Sequence, residues 1–231
     1  AADLNADGYE DLFVTASMNY PFRYGINSVL LNDGGQGFVD AEFALGVEPR
    51  RDGRTAQPWF ELDCQDADRE HLLCQTQAVD LTPGRRQGQL VVWGALGSRS
   101  AAVFDLDDDG DLDIITNDFN SEPMVLVSDL AAKRQPLRFL KVELVGTCSN
   151  RSGLGARVAV QVADHTYTKV HDGKSGYLSQ SVYPLYFGLG DADRVDRIEV
   201  TWPSGTVQVV AGPLTTNVLV EVEEDCVSTL R

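Results

Sequence analysis

Asp3, Asn5, Asp7 and Asp11 stand at positions 1, 3, 5 and 9 of a nine-residue stretch with Gly8 at position 6, and Asp105, Asp107, Asp109 and Asp113 repeat that spacing around Gly110. The second stretch packs six carboxylates into nine residues. Each close pair of them would repel by roughly 4 kcal/mol at an effective dielectric of about 20. A hard divalent cation removes that penalty. Calcium takes six to eight oxygens in flexible geometry, so alternating side-chain oxygens joined by a backbone carbonyl at position 7, that of Tyr9 or Asp111, suit it, while the glycine permits the sharp turn. Turn chemistry alone accounts for one acidic segment. It does not account for the same four-oxygen spacing twice, each time ahead of an apolar run.

Helices do not frame these loops. An EF-hand begins the same way but needs a bidentate Glu at position 12, which here is Val14 or Thr116. The residues that follow, Leu12 to Ala16 and Leu112 to Thr116, are β-branched and apolar and read as strands. Asp-x-[Asp/Asn]-x-Asp-Gly-x-x-Asp followed by a strand resembles the FG-GAP/VCBS repeats of calcium-bearing β-propellers. Downstream, Asn27 to Phe38 resembles that family's second half-blade, with Gly34 and Gly35 supplying the positive φ of a tight hairpin turn. Asp3 and Asp105 are 102 residues apart, which is long for one repeat. Residues 48–98, containing Cys64 and Cys74, are therefore expected to be an insertion or a degenerate blade, with a short helical turn near Asp66 to Cys74 and strand character returning at Gln89 to Trp93.

The texture changes after Leu130 to Pro136, a polar stretch ending in proline that marks the expected domain boundary. Beyond it, Phe139 to Val145, Arg157 to Val162, Val195 to Trp202 and Val218 to Val222 alternate apolar and polar residues. That pattern predicts a small antiparallel sandwich or barrel with one wet face. Four blocks in order, Gly146 to Ala156, Gly176 to Ser181, Phe187 to Gly190 and Trp202 to Gly205, resemble the ASPIC/UnbV domain over about residues 137–224, leaving 225–231 as a tail. The expected fold class is thus all-β, with partial propeller blades over 1–136 and the second β domain after them. Its pairing of domains is similar to that of the cartilage acidic protein-like family, and the resemblance implies a calcium-binding extracellular protein and little about chemistry.

A net charge of −16 on 231 residues argues against nucleic acid or an anionic membrane as partner, since both need a cationic footprint. No apolar run approaches the roughly 20 residues of a membrane span. Ten of the 35 acids lie in the two loops, so bound calcium would neutralise part of the charge. The chain runs from Ala1 and Ala2 directly into a loop without a signal peptide, and it is expected to be a piece of a longer exported protein. Of three possible connectivities for four cysteines, the simplest joins Cys64 to Cys74 and Cys148 to Cys226; four buried thiols are the rival reading. Zinc is disfavoured, because no Cys-x-x-Cys occurs and the histidines are not at ligand spacing.

No catalytic residue stands out. His71, His165 and His171 accompany no nucleophile signature, and the last two are expected to face solvent or pair locally. Asp172-Gly173-Lys174-Ser175 imitates the end of a phosphate-binding loop but has Thr168 where that motif needs glycine. Tyr177, Tyr183, Tyr186 and Trp202 suggest either an aromatic platform or core aromatics. The expected function is calcium-stiffened adhesion or recognition of a protein or glycan. The alternative is a polysaccharide-active enzyme with an acid pair on a propeller scaffold, which carboxylate separation in space would decide.

Overall fold

The computed structural model describes residues 1–16, 26–48, 56–75, 88–95, 97–118 and 122–226, so the last five positions of the expected tail lie outside the described residues. The fold is all-β, assembled from several small sheets. In the first, β1 (Leu12–Val14), β2 (Ser28–Asn32) and β3 (Phe38–Asp40) form an antiparallel meander. Its β2–β3 turn carries Gly34 and Gly35 at φ of 56° and 80°, a conformation that a β-carbon would penalise.

The expected insertion is a hairpin of β4 (Ala56–Asp63) and β5 (Gln89–Ala95) with the short helix α1 (Leu72–Gln75) between them. It has a core of its own in Leu62, Leu73, Leu90 and Val92. The Cys64–Cys74 disulfide joins the end of β4 to α1. A third sheet follows, in which β6 (Ser98–Phe104), β7 (Asp113–Asp118) and β8 (Val125–Leu126) run antiparallel. The three sheets up to residue 126 have two or three strands each, and among the described residues they do not close into a propeller. Helix α2 (Leu130–Lys133) occupies the polar stretch read as a boundary.

The remaining strands build a two-sheet sandwich. They are β9 (Phe139–Val145), β10 (Arg157–Val162), β11 (His165–Val170), β12 (Lys174–Gly176), β13 (Ser179–Gln180), β14 (Leu185–Gly188), β15 (Arg194–Thr201), β16 (Val207–Thr215) and β17 (Val218–Glu223). One sheet is ordered β11-β10-β15-β16, the other β14-β9-β17, and β12–β13 is a separate hairpin. Period-two alternation aims Leu140, Val142 and Leu144 of β9 at Val158 and Val160 of β10 and at Ile198 and Val200 of β15, with Trp202 completing the cluster. Burying each such side chain stabilises the fold by about 2 kcal/mol. A register shift between Val195 and Arg197 keeps both Val195 and Ile198 in this core.

The Cys148–Cys226 disulfide ties the end of the sandwich to its first loop. Beside it, the buried Glu224 carboxylate accepts hydrogen bonds from the amides of Thr147, Cys148 and Ser149 at 3.0, 2.9 and 2.6 Å and from the hydroxyls of Ser149 and Ser204 at 2.8 and 2.5 Å. Burial alone would raise its pKa. The hydroxyl of Ser204 and the groups of Ser149 and Thr147 outweigh burial and hold it at about 2.

Candidate metal centres

The two acidic loops are copies of one conformation. The residue at position 4, Ala6 or Asp108, has φ of 55° or 61°, and the glycine at position 6, Gly8 or Gly110, has φ of 94° or 99°. The hydrogen bonds repeat as well. The position 6 amide donates to the position 1 carboxylate, Gly8 to Asp3 at 2.8 Å and Gly110 to Asp105 at 3.0 Å. The position 7 amide donates to position 5, Tyr9 to Asp7 at 2.8 Å and Asp111 to Asp109 at 3.0 Å. The position 2 amide donates to the position 9 carboxylate, Leu4 to Asp11 and Leu106 to Asp113, both at 2.8 Å. The other oxygen of position 9 accepts from a later segment, Asn32 at 2.7 Å for Asp11 and Ser128 at 2.8 Å for Asp113. Position 9 therefore fastens each loop to a later segment, the end of β2 at Asn32 or the stretch just past β8 at Ser128.

In the second loop, one oxygen from each of Asp105, Asp107 and Asp109 lies within 4.8 Å of the others, close enough for a single metal ion. The Asp105 side chain is 2% exposed, and its Oδ1 has no hydrogen-bond partner. The Asp111 carboxylate accepts from the Ala131 amide at 2.7 Å through Oδ2, while its buried Oδ1, like that of Asp105, has no hydrogen-bond partner. In the first loop Asn5 donates to Asp7 at 3.0 Å, and Asp3 and Asn5 both accept from the Asp7 amide. Burial pushes Asp3 up to about 6 against the Gly8 amide and Lys169, which pull it down. Burial likewise raises Asp11 and Asp111. Each loop thus holds carboxylates away from water at an electrostatic cost that a cation would offset.

Both loops rest on the sandwich, a relation that the loop sequences alone do not reveal. A β-carbon on Gly8 would lie 2.4 Å from the Tyr167 ring, and one on Gly110 would lie 2.3 Å from the Phe139 ring, so each position 6 glycine admits an aromatic of the sandwich. Gly188 does the reverse, leaving room for Asp3 and for the backbone of Ala6. The Gly190 amide donates to the Ala6 carbonyl at 3.1 Å, and Arg134 spans the Asn5 carbonyl at 2.7 Å and the Gly190 carbonyl at 3.2 Å. Phe187 to Gly190, read as a domain motif, is thus the seat of the first loop. The buried Tyr186 hydroxyl donates to the Gly110 carbonyl at 3.0 Å, and its ring stacks on Phe139. Burial, and then the charges of Asp3, Asp105 and Asp111, raise the Tyr186 pKa, which places both loops within its electrostatic reach.

One lysine of the sandwich faces each loop. Lys141 reaches Asp105 at 2.7 Å and Asp108 at 3.4 Å, and Lys169 pairs with Glu10. Burial works against the Lys141 ammonium, but its bonds to Asp105 and Asp108 outweigh that and hold its pKa above the ordinary lysine value.

The remaining polar and aromatic expectations divide. His165 is exposed beside Tyr167, their ring centroids 4.4 Å apart. His171, expected at the surface or in a local pair, is instead buried at the end of β11, and burial lowers its pKa. Tyr177 and Tyr183 are exposed, whereas Tyr186 and Trp202 belong to cores, so the four aromatics form no common platform.

Residues 146–228 match the family described as ASPIC and UnbV. The matched residues begin after both acidic loops. The chain is also 33% identical over 109 residues to cartilage acidic protein 1 of Xenopus tropicalis, an alignment covering 46% of this chain and 16% of that protein. The chain therefore spans about a sixth of the curated relative's length.

Proposed function

We propose that this chain is an extracellular recognition module in which one calcium ion in each acidic loop clamps propeller-type strands onto a β-sandwich. The observation that carries this reading is the buried Asp105 Oδ1, which lacks a hydrogen bond in a cluster with Asp107 and Asp109 and lies in a loop whose backbone recurs around Gly8. The ligands are Asp105, Asp107, Asp109, Asp113 and the Asp111 carbonyl in one loop, and Asp3, Asn5, Asp7, Asp11 and the Tyr9 carbonyl in the other. A carboxylate oxygen that already accepts an amide keeps a second lone pair for a cation, so the hydrogen bonds at position 9 do not exclude ligation. An all-oxygen donor set suits calcium. Two disulfides favour an oxidising compartment, where calcium also fills weak sites. No helix among the described residues is long and apolar enough to cross a membrane. The likeness to a cartilage protein supports the extracellular assignment. Calcium here is structural, and the work of the module is binding a protein or glycan rather than turnover.

Calorimetry with calcium on the purified chain and on Asp109→Ala tests this directly. Wild type should bind two ions and the variant one. A site with a Kd of about 10⁻⁴ M in about 10 mM calcium adds roughly 2.7 kcal/mol, so chelation should lower the melting temperature visibly. No heat and an unchanged melt would refute the calcium reading. Release of reducing sugar, abolished by one Asp or Glu substitution, would refute the non-enzymatic one.

A further inference from the structure

The two lysines that face the acidic loops do not stand alike to them. Lys169 pairs with Glu10, which is not a ligand of the first loop. Lys141 donates at 2.7 Å to Oδ2 of Asp105, position 1 of the second loop. The same oxygen accepts from the Gly110 amide at 3.0 Å, so Oδ1 is the oxygen left for an ion. This pair is shielded from water, its side chains 17% and 2% exposed, whereas Asp108, which Lys141 reaches at 3.4 Å, lies in solvent.

Strand geometry puts the ammonium there. Phe139 and Lys141 are two apart on β9 and project to one face, and Tyr186 of β14 stands opposite Lys141 in register. Phe139 packs against Gly110, Tyr186 donates to the Gly110 carbonyl, and Lys141 holds Asp105. One patch of one sheet therefore supplies both the seat and the counter-charge of the second loop, through contacts that need no metal. The first loop is seated through its backbone, by the Gly190 amide on the Ala6 carbonyl and by Arg134 on the Asn5 carbonyl. Among the described residues no ammonium or guanidinium pairs with Asp3, Asp7 or Asp11.

A cation on Asp105 Oδ1 would share its carboxylate with the Lys141 ammonium, and like charges that close oppose each other. In the empty loop the same ammonium offsets part of the repulsion among six carboxylates. We propose that Lys141 is the resident counter-ion of the second loop, holding Asp105 in its ligand position while the loop is empty and lowering the loop's affinity for calcium. The inference rests on the calcium reading above and deepens it. The loops are unequal, the first ordered by calcium and the second ordered before calcium arrives. Linkage fixes the sign: whatever Lys141 gives the empty loop beyond what it gives the filled one is subtracted from calcium binding.

The test uses the full chain and Lys141→Met, which keeps most of the stem and removes the charge. Calcium calorimetry on Asp109→Ala, which retains the first loop alone, identifies that loop's isotherm. Against it, Lys141→Met should bind calcium at the second loop about tenfold more tightly, the fold-change carried by one hydrogen bond to a charged group, with the first loop unchanged. Its melting temperature should fall further below wild type in chelator than in calcium. Lys141→Arg keeps the charge and should keep the wild-type isotherm. A residue that only braced the loop would weaken calcium when removed, so an unchanged or weaker second site in Lys141→Met would overturn the proposal. A Lys141→Arg isotherm as tight as that of Lys141→Met would overturn it as well. Amide exchange on wild type in chelator needs no variant: Gly110 should stay protected while Gly8 exchanges faster. Equal exchange at the two glycines would overturn the proposal even where Lys141→Met fails to fold. Absent calcium heat in wild type would instead overturn the reading beneath it.

Discussion

Replacing Gly188 with alanine would drive one methyl group into the first acidic loop. The new β-carbon would lie 2.0 Å from Asp3 Oδ2 and 2.6 Å from both Cα and the carbonyl carbon of Ala6. Asp3 cannot swing aside cheaply, because the amides of Asp7 and Gly8 hold its two oxygens at 3.0 and 2.8 Å. Ala6 is fully buried, and its carbonyl accepts from Gly190. The loop must therefore lift from β14. Overpacking costs about 1–3 kcal/mol and the strained Gly190 and Arg134 bonds about another 1, for a total of roughly 2–4 kcal/mol, or about 5–15 °C in Tm for a chain of this size. Differential scanning calorimetry measures that shift, and calcium titration should show one binding event lost and the other kept. Gly37→Ala is the control, since nothing lies within 4 Å of its β-carbon and its φ is not in the left-handed region. If Gly188→Ala matched Gly37→Ala in both melt and stoichiometry, the seating of the loop on the sandwich would be wrong.

Two further substitutions probe the other contacts. Tyr186→Phe removes the donor to the Gly110 carbonyl and should cost about 1 kcal/mol while weakening only the second loop's calcium affinity, as read by comparing its isotherm with that of Gly188→Ala. Glu224→Gln should cost on the order of 2–3 kcal/mol in urea melts, because amide and hydroxyl donors lose a charged acceptor. Glu224 has a folded pKa of about 2, below its ordinary 4.5. Its contribution is therefore complete above about pH 4.5 and is lost as pH falls toward 2. Acid titration of stability should be flatter across that window in Glu224→Gln than in wild type, and identical slopes would contradict the assignment.

What could be read directly from the residue order was whatever is local in the chain. The oxygen spacing of the loops, the glycine turn at Gly34 and Gly35 and the alternation of β9, β10 and β15 each lie within about a dozen residues. The Cys64–Cys74 pairing likewise spans only ten residues. The relation of the loops to the sandwich is different in kind. Gly188 is a motif residue whose reason is Asp3, and the partners of Glu224 sit near residues 147 and 204, so no window along the chain contains either relation. Period-two alternation could not sort the aromatics either. Tyr183 and Tyr186 are three apart yet lie on a surface and in a core, because β14 begins only at Leu185. His171 follows the same logic: it lies just past the last residue of β11, where the chain turns inward and the strand pattern no longer applies.

The parallel pairing of β17 with β9, from Val218 opposite Leu140 to Glu223 opposite Val145, bears on how the molecule is made. Strand β9 leads the sandwich out of the ribosome and β17 is its last strand, so the central strand of the three-stranded sheet waits for nearly the whole domain before its second edge is satisfied. Such long-range closure is slow. Until it happens, Leu140, Val142 and Leu144 lack their final cover, and Phe139 and Tyr186 cannot yet offer settled seats to the acidic loops. Maturation should therefore run backwards along the chain, the last-made strand licensing the first-made loop, and a nascent chain lacking β17 should be a substrate for chaperones rather than a smaller working domain.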